Sequence, residues 1–176
     1  MHASLRLAGA SILIGSLLGG GARAEQTQAD PVQPVETTAT YQDWVVRCIK
    51  PKDKPRTCEI VQNLQMQGKG VVASIAVGRT DPKAPMIIVI QVPQGVWLPS
   101  GITFQIGDAG KALRLDYKRC VQVCGAETSL DPATLSRMKS ATEAGSFAFD
   151  DGMRRPVKFP VSFKGFAAAL DASLTP

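Results

Sequence analysis

Along this chain, apolar and polar residues alternate in short runs separated by glycine, proline and aspartate, the period-two signature of half-buried strands joined by turns. From Tyr41, the residues Trp44, Val45, Val46 and Arg47 lead into Cys48, and Cys58 opens a second alternating run that continues to Gln67. The segment between the cysteines is basic and carries Pro51 and Pro55. Proline cannot donate to a strand ladder, so this segment reads as the loop of a hairpin pinned at its shared end. Val71 to Val77 has strand composition, and Asp81 to Pro85 is a turn. The apolar run from Met86 to Val92, broken only by Gln91, predicts a strand covered on both faces and the most buried element of the fold.

Ile102, Phe104 and Ile106 alternate with polar neighbours, as do Leu113, Leu115 and Tyr117, and the turn at residues 107–110 makes the two runs a hairpin. One segment changes period. Asp131 is suited to cap a helix, Pro132 suits its first position, Leu135 and Met138 share a face, and Arg137 with Lys139 complement the C-terminal dipole. Phe147 and Phe149, then Val157, Phe159, Val161 and Phe163, return to strand spacing across a turn at Asp150, Asp151 and Gly152. The end of the chain predicts a short helix that packs Phe166 and Leu170 inward. Eight or nine strands with one or two short helices predict an all-β domain, mainly an antiparallel, immunoglobulin-like β-sandwich.

Composition sets the compartment. Arg6 lies in a short charged lead, Leu7 to Gly20 is apolar and small, and Ala22, Arg23 and Ala24 form a small-residue cleavage site. Residues 1–24 therefore read as a secretory signal peptide. The apolar run is shorter than the about 20 residues a membrane span needs, so no transmembrane anchor is expected in the mature protein. The chain carries 20 basic and 15 acidic residues; losing Arg6 and Arg23 leaves 18 against 15, about +3. The single histidine, His2, leaves with the signal peptide. Without imidazole, Ser-His-Asp and Cys-His nucleophiles and histidine-based metal sites are excluded. Residues 25–40 are polar and proline-bearing and read as a flexible leader, with 41–174 as a single domain.

The four cysteines allow three pairings, and in an exported protein they predict disulfides. Local pairing is the expectation: Cys48 with Cys58, and Cys120 with Cys124. The latter spacing, amid valines and followed by Gly125, favours a structural bridge over the C-x-x-C redox pair that opens a helix. Gly95, Gly101, Gly107 and Gly110 fit turns better than a phosphate cradle, because no Walker or dinucleotide motif accompanies them.

Asp43-Trp44 before Cys48, Cys58-Glu59, the segment Gly95 to Ile102, the Cys120–Cys124 pair and Pro160 to Phe166 with Ala167 to Leu170 occur in an order that resembles the invasion-associated locus B family of exported Gram-negative proteins. The resemblance covers nearly all of residues 41–171. It implies a compact β-sandwich in the periplasm or cell envelope, with a link to host-cell invasion in some members. It implies no catalytic residue, cofactor or metal.

The expected function is therefore a non-catalytic interaction or structural module of the cell envelope. Its expected location is the periplasm, with outer-membrane association or secretion as the alternatives. Its partner is an unidentified macromolecule of the envelope or host surface, not nucleic acid. Lys50, Lys52, Lys54 and Arg56 are the candidate contacts to an anionic partner, and Lys118-Arg119 and Arg154-Arg155 are further basic pairs. Two other classes compete: a small-ligand domain using Trp44, Trp97 or Tyr117, and an enzyme, either a thiol oxidoreductase through Cys120 and Cys124 or a carboxylate hydrolase.

Overall fold

The computed structural model describes residues 36–108 and 110–175. The expected signal peptide and residues 25–35 of the expected leader lie outside them. Ten strands and two α-helices occur among the described residues. In chain order they are β1 (Glu36–Tyr41), β2 (Trp44–Ile49), β3 (Thr57–Met66), β4 (Gly70–Gly78), β5 (Ile87–Val92), β6 (Ile102–Gln105), β7 (Leu113–Cys120), β8 (Cys124–Ser129), α1 (Pro132–Ser140), β9 (Gly145–Asp150), β10 (Pro156–Val161) and α2 (Phe166–Leu174). The all-β, mainly antiparallel class with short helices is the one the chain adopts.

The strands follow the order β1-β2-β3-β4-β5-β8-β7-β6-β9-β10, with every pairing antiparallel. Two expectations need correction. Glu36–Tyr41, placed mostly in the flexible leader, forms β1 and pairs along its whole length with β2. It is polar because it is exposed, so it carries no apolar alternation to announce it. Met86 to Val92 was expected to be covered on both faces, yet β5 is covered on one. Ile88, Ile90 and Val92 are buried while Ile87, Val89 and Gln91 are only half-buried. On that outer face Val89 sits between Ala76 and Glu127, a small and a charged residue, with no apolar layer over them.

The sheet curls so that the segment just past β10 reaches the start of β2 and the middle of β3. β3 and β10 are seven positions apart in the strand order, which in a flat sheet is about 34 Å. Instead, Gln62 of β3 donates from Nε2 to the carbonyl of Ser162, just past β10, at 3.0 Å, and its Oε1 accepts from the Ser162 amide at 3.0 Å. Trp44 Nε1 donates to the same carbonyl at 2.8 Å, and Ser162 Oγ donates to Asp43 at 2.6 Å. A buried amide side chain satisfied in this way costs little, whereas an unpaired one costs about 1–3 kcal/mol.

Helix α2 seals this seam. Phe166 meets Trp44 edge-on at 5.0 Å between ring centroids and Phe163 at 5.8 Å. The helix starts from Gly165, whose φ of 83° is left-handed. A Cβ at that position would collide with the carbonyl of Tyr41, so only glycine lets the two ends approach. Helix α1 forms as its sequence predicts: Asp131 accepts from the Thr134 amide at 2.7 Å, and Met138 is buried.

Candidate functional site

The loop between β2 and β3 is built by its prolines and its bridge. Cys48 and Cys58 are register partners in the β2–β3 ladder and are joined by a disulfide. Within the loop, the Lys54 amide donates to the Pro51 carbonyl at 3.2 Å, and Asp53 takes a left-handed φ of 62°. Arg56 lays its guanidinium on the bridge, Nη2 to Cys48 Sγ at 3.2 Å. The loop backbone is therefore held, and the Arg56 guanidinium is oriented on it.

Beneath it lies a cleft of about 450 Å³. Lys50, Pro55 and Arg56 form one wall, Arg79 and Pro82 the second, and Ser173, Leu174 and Thr175 at the end of α2 the third. The lining holds three cationic side chains and no carboxylate. Arg79 is oriented by donating to the Pro82 carbonyl at 2.8 Å. Next to this cleft, a shallower groove of about 210 Å³ shares Thr57, Cys58 and Arg79 and adds Ile49, Ile87 and Val89. The ion pair between Arg47 and Glu59, at 2.5 Å, is part of its lining, so the one carboxylate of the groove is already matched by a cation. Chemically the pair of depressions offers positive charge above half-buried aliphatic surface, suited to an anion with an apolar or sugar-like body.

Of the four expected anionic contacts, Lys50 and Arg56 line the cleft. Lys52 and Lys54 are exposed on the loop and do not line it. Arg79 was missed. Its signal was topological: β3 runs away from the Cys58 end and β4 returns to it, so the residue that follows Gly78 must arrive beside the bridged loop.

The second bridge, Cys120–Cys124, also joins register partners, here at the β7–β8 turn. Cys124 is buried and opens a strand, not a helix. Trp44 is fully buried in the seam, which removes it from the expected ligand contacts. Trp97 is half-buried under the Arg154 guanidinium, 4.1 Å from its ring centroid. Tyr117 has its hydroxyl buried without a hydrogen-bond partner, and burial together with the nearby Asp150 pushes its pKa up to about 12. No helix among the described residues is long and apolar enough to cross a membrane.

Residues 44–174, which span the hairpin, the cleft, the seam and α2, match the family model of the invasion associated locus B (IalB) protein. The chain belongs to the IalB family. It is 32% identical over 133 residues to the invasion protein B homologs of two Brucella abortus strains, 2308 and biovar 1 strain 9-941, covering 75% of this chain and 76% of each relative. It is also similar to the crystal structure of invasion associated protein B from Bartonella henselae, with a TM-score of 0.69 over 78% of this chain and 95% of that one. At 18% identity the latter likeness shows a shared fold. Among the residues on which the resemblance rests, Asp43, Trp44, Ser162, Gly165 and Phe166 belong to the seam, and the four cysteines form the two bridges.

Proposed function

We propose that this IalB-family protein is an exported, non-catalytic interaction module that holds an anionic polymer of the bacterial envelope or host surface in the cleft beside the Cys48–Cys58 loop. The observation that carries this reading is the lining of that cleft, with Lys50, Arg56 and Arg79 converging and no acid among them. A polyanion meeting these three cations, two of them oriented by hydrogen bonds of their own, gains charge-assisted hydrogen bonds on a loop already closed by a disulfide. The Brucella and Bartonella proteins are named for invasion, and the same setting is proposed here, with the periplasm or outer face of the envelope as the site of action. The cleft volume of about 450 Å³ also supports a second reading, a small anionic ligand, because such sites run from about 300 to 1,000 Å³.

Salt-gradient elution from immobilised heparin, together with binding to lipopolysaccharide, tests the reading. Lys50→Glu, Arg56→Glu and Arg79→Glu together should weaken binding by at least about tenfold. An equal charge change at Lys111, Lys158 and Lys164 should have a much smaller effect. Equal losses in the two triple variants would reduce the interaction to net charge and overturn the cleft. Competition by a monosaccharide sulfate as effective as the polymer would favour the small-ligand reading.

A further inference from the structure

The exposed large hydrophobic side chains are not scattered. Apart from Ile49 and Leu174, which lie near the cationic cleft, they are Met66, Val71, Leu98, Val121, Val123 and Met153. Five of them sit at or just beyond the same ends of the strands, and Leu98 lies in the short turn that precedes β6. β3 finishes and β4 starts at Met66 and Val71; β5 finishes opposite the start of β8, Val92 pairing with Cys124; β9 and β10 turn at Met153.

One connection ties these tips together. In the segment that leaves β5, Pro93 to Trp97, the Gln94 side chain donates from Nε2 to the Val121 carbonyl. Pro93 and Gln94 also share a depression with Val71, Gln122 and Val123. On its other side the Gly95 carbonyl accepts from the Gly152 amide at 2.6 Å, which brings in the Met153 turn. The result is a continuous cap on which Val121 is 73% and Met153 76% exposed. Grouped exposure of this kind marks a surface that meets something other than water.

The charge around the cap is positive. Lys69 lies in the β3–β4 turn, and Lys118 and Arg119 flank the β7–β8 tip; neither residues 66–71 nor residues 117–125 contain an acid. Of the acids nearby, Asp151 is engaged by Arg155 at 2.6 Å and Asp116 by Arg114 at 3.0 Å, while Asp150 and Glu127 lie further back, on β9 and β8. Short aliphatic tips beside lysine and arginine, with a half-buried tryptophan close by, match the headgroup boundary of an anionic lipid layer, where apolar tips insert shallowly and cations find phosphates. The Cys120–Cys124 bridge fixes Val121 and Val123 in an outward pose, so little ordering is needed on contact.

We propose that this end of the protein docks on an anionic lipid surface, with Val121, Val123, Val71 and Met153 entering the acyl boundary and Lys69, Lys118 and Arg119 holding the headgroups. This leaves the cationic cleft at the other strand ends open to its own partner.

The test uses the chain from Glu25 onward, because the apolar run from Leu7 to Gly20 of the expected signal peptide would itself bind lipid, and vesicles of phosphatidylcholine with or without phosphatidylglycerol. The protein should sediment with the phosphatidylglycerol vesicles and not with phosphatidylcholine alone. Val121→Asp with Val123→Asp should weaken that partitioning by about tenfold or more. Lys118→Glu with Arg119→Glu should do likewise, while the triple variant at Lys50, Arg56 and Arg79 should leave it unchanged. Fluorescence adds a reading on the unaltered protein. Trp44 is fully buried, so quenching by brominated lipid would come from Trp97 at the cap. Full partitioning by the Val121→Asp, Val123→Asp variant, absence of quenching, or loss of binding in the cleft variant would each overturn the proposal.

Discussion

At the seam, Gln62 is 6% exposed, and it exchanges two hydrogen bonds with Ser162 while Trp44 supplies a third to the same carbonyl. At the β7–β8 tip, Val121 and Val123 stand in solvent, although the tip is closed by a covalent bond. One region spends its polar groups and aromatic rings on itself, and the other is stiffened and left open. The residues on which the resemblance to the IalB family rests fall in both regions: Asp43, Trp44 and Pro160 to Phe166 at the seam, and the Cys120–Cys124 pair at the tip. The seam holds the sheet in its curled form, and the side chains available to partners lie on the loops and strand tips around it.

The strongest way to break this comparison is at Gly165. Gly165→Ala demands a left-handed backbone from a residue with a Cβ and drives that Cβ into the Tyr41 carbonyl. Urea unfolding should register a loss of about 3 kcal/mol or more. Val121→Asp with Val123→Asp, in the same measurement, should shift stability by no more than about 0.5 kcal/mol, since both side chains are exposed. If the tip variant were as damaging as the seam variant, the tip would be core in function and the division between the regions would fail.

The two disulfides sharpen the comparison at the next level. Replacing Cys48 and Cys58 together by alanine should cost about 3 kcal/mol, and replacing Cys120 and Cys124 about 2 kcal/mol, because the first bridge closes the longer loop and constrains the unfolded chain more. Non-reducing tryptic mapping checks the pairing directly: the peptide containing Cys48 should be linked to the one containing Cys58. Heparin retention should fall in the first variant, since Lys50 and Arg56 lose their fixed loop, and lipid partitioning should fall in the second. An identical functional profile for both would mean that neither bridge serves its own end.

How much of this was legible in the sequence follows from the distance over which each signal acts. The hairpin of Cys48 and Cys58, the Cys120–Cys124 tip and the capped start of α1 are local, and alternation, proline placement and Asp131 announce them. β1 escaped because an edge strand exposed on both sides needs no apolar period; its run of threonines was the only hint, through β-branching. The outer face of β5 was misjudged because Ile87 and Val89 look as apolar as Ile88 and Ile90, and only pairing with Gly78 and Ala76 shows which side is covered. The seam was unreadable in mechanism: Gln62 and Ser162 are 100 residues apart, and nothing near either names the other. Of the candidate site, Lys50 and Arg56 were legible from charge in a pinned loop, whereas Arg79 required the return of β4.

The smallest expected effect concerns Tyr117, which belongs to neither extreme: its ring packs against the core, yet its hydroxyl is buried and makes no hydrogen bond. Removing that hydroxyl relieves a desolvated polar group, so Tyr117→Phe should be neutral or stabilising by up to about 1 kcal/mol. The pH dependence carries a definite sign. Burial, reinforced by Asp150, raises the folded pKa from 10.0 to about 12, so the folded state holds the phenolic proton more tightly than the unfolded chain does. This contribution is fully present below pH 10 and is lost as the pH climbs from there through about 12. Unfolding midpoints followed across that window should fall less steeply in Tyr117→Phe than in the parent. A parallel decline in both would show that the hydroxyl reaches water, and that this face of β7 belongs with the open loops and not with the closed core.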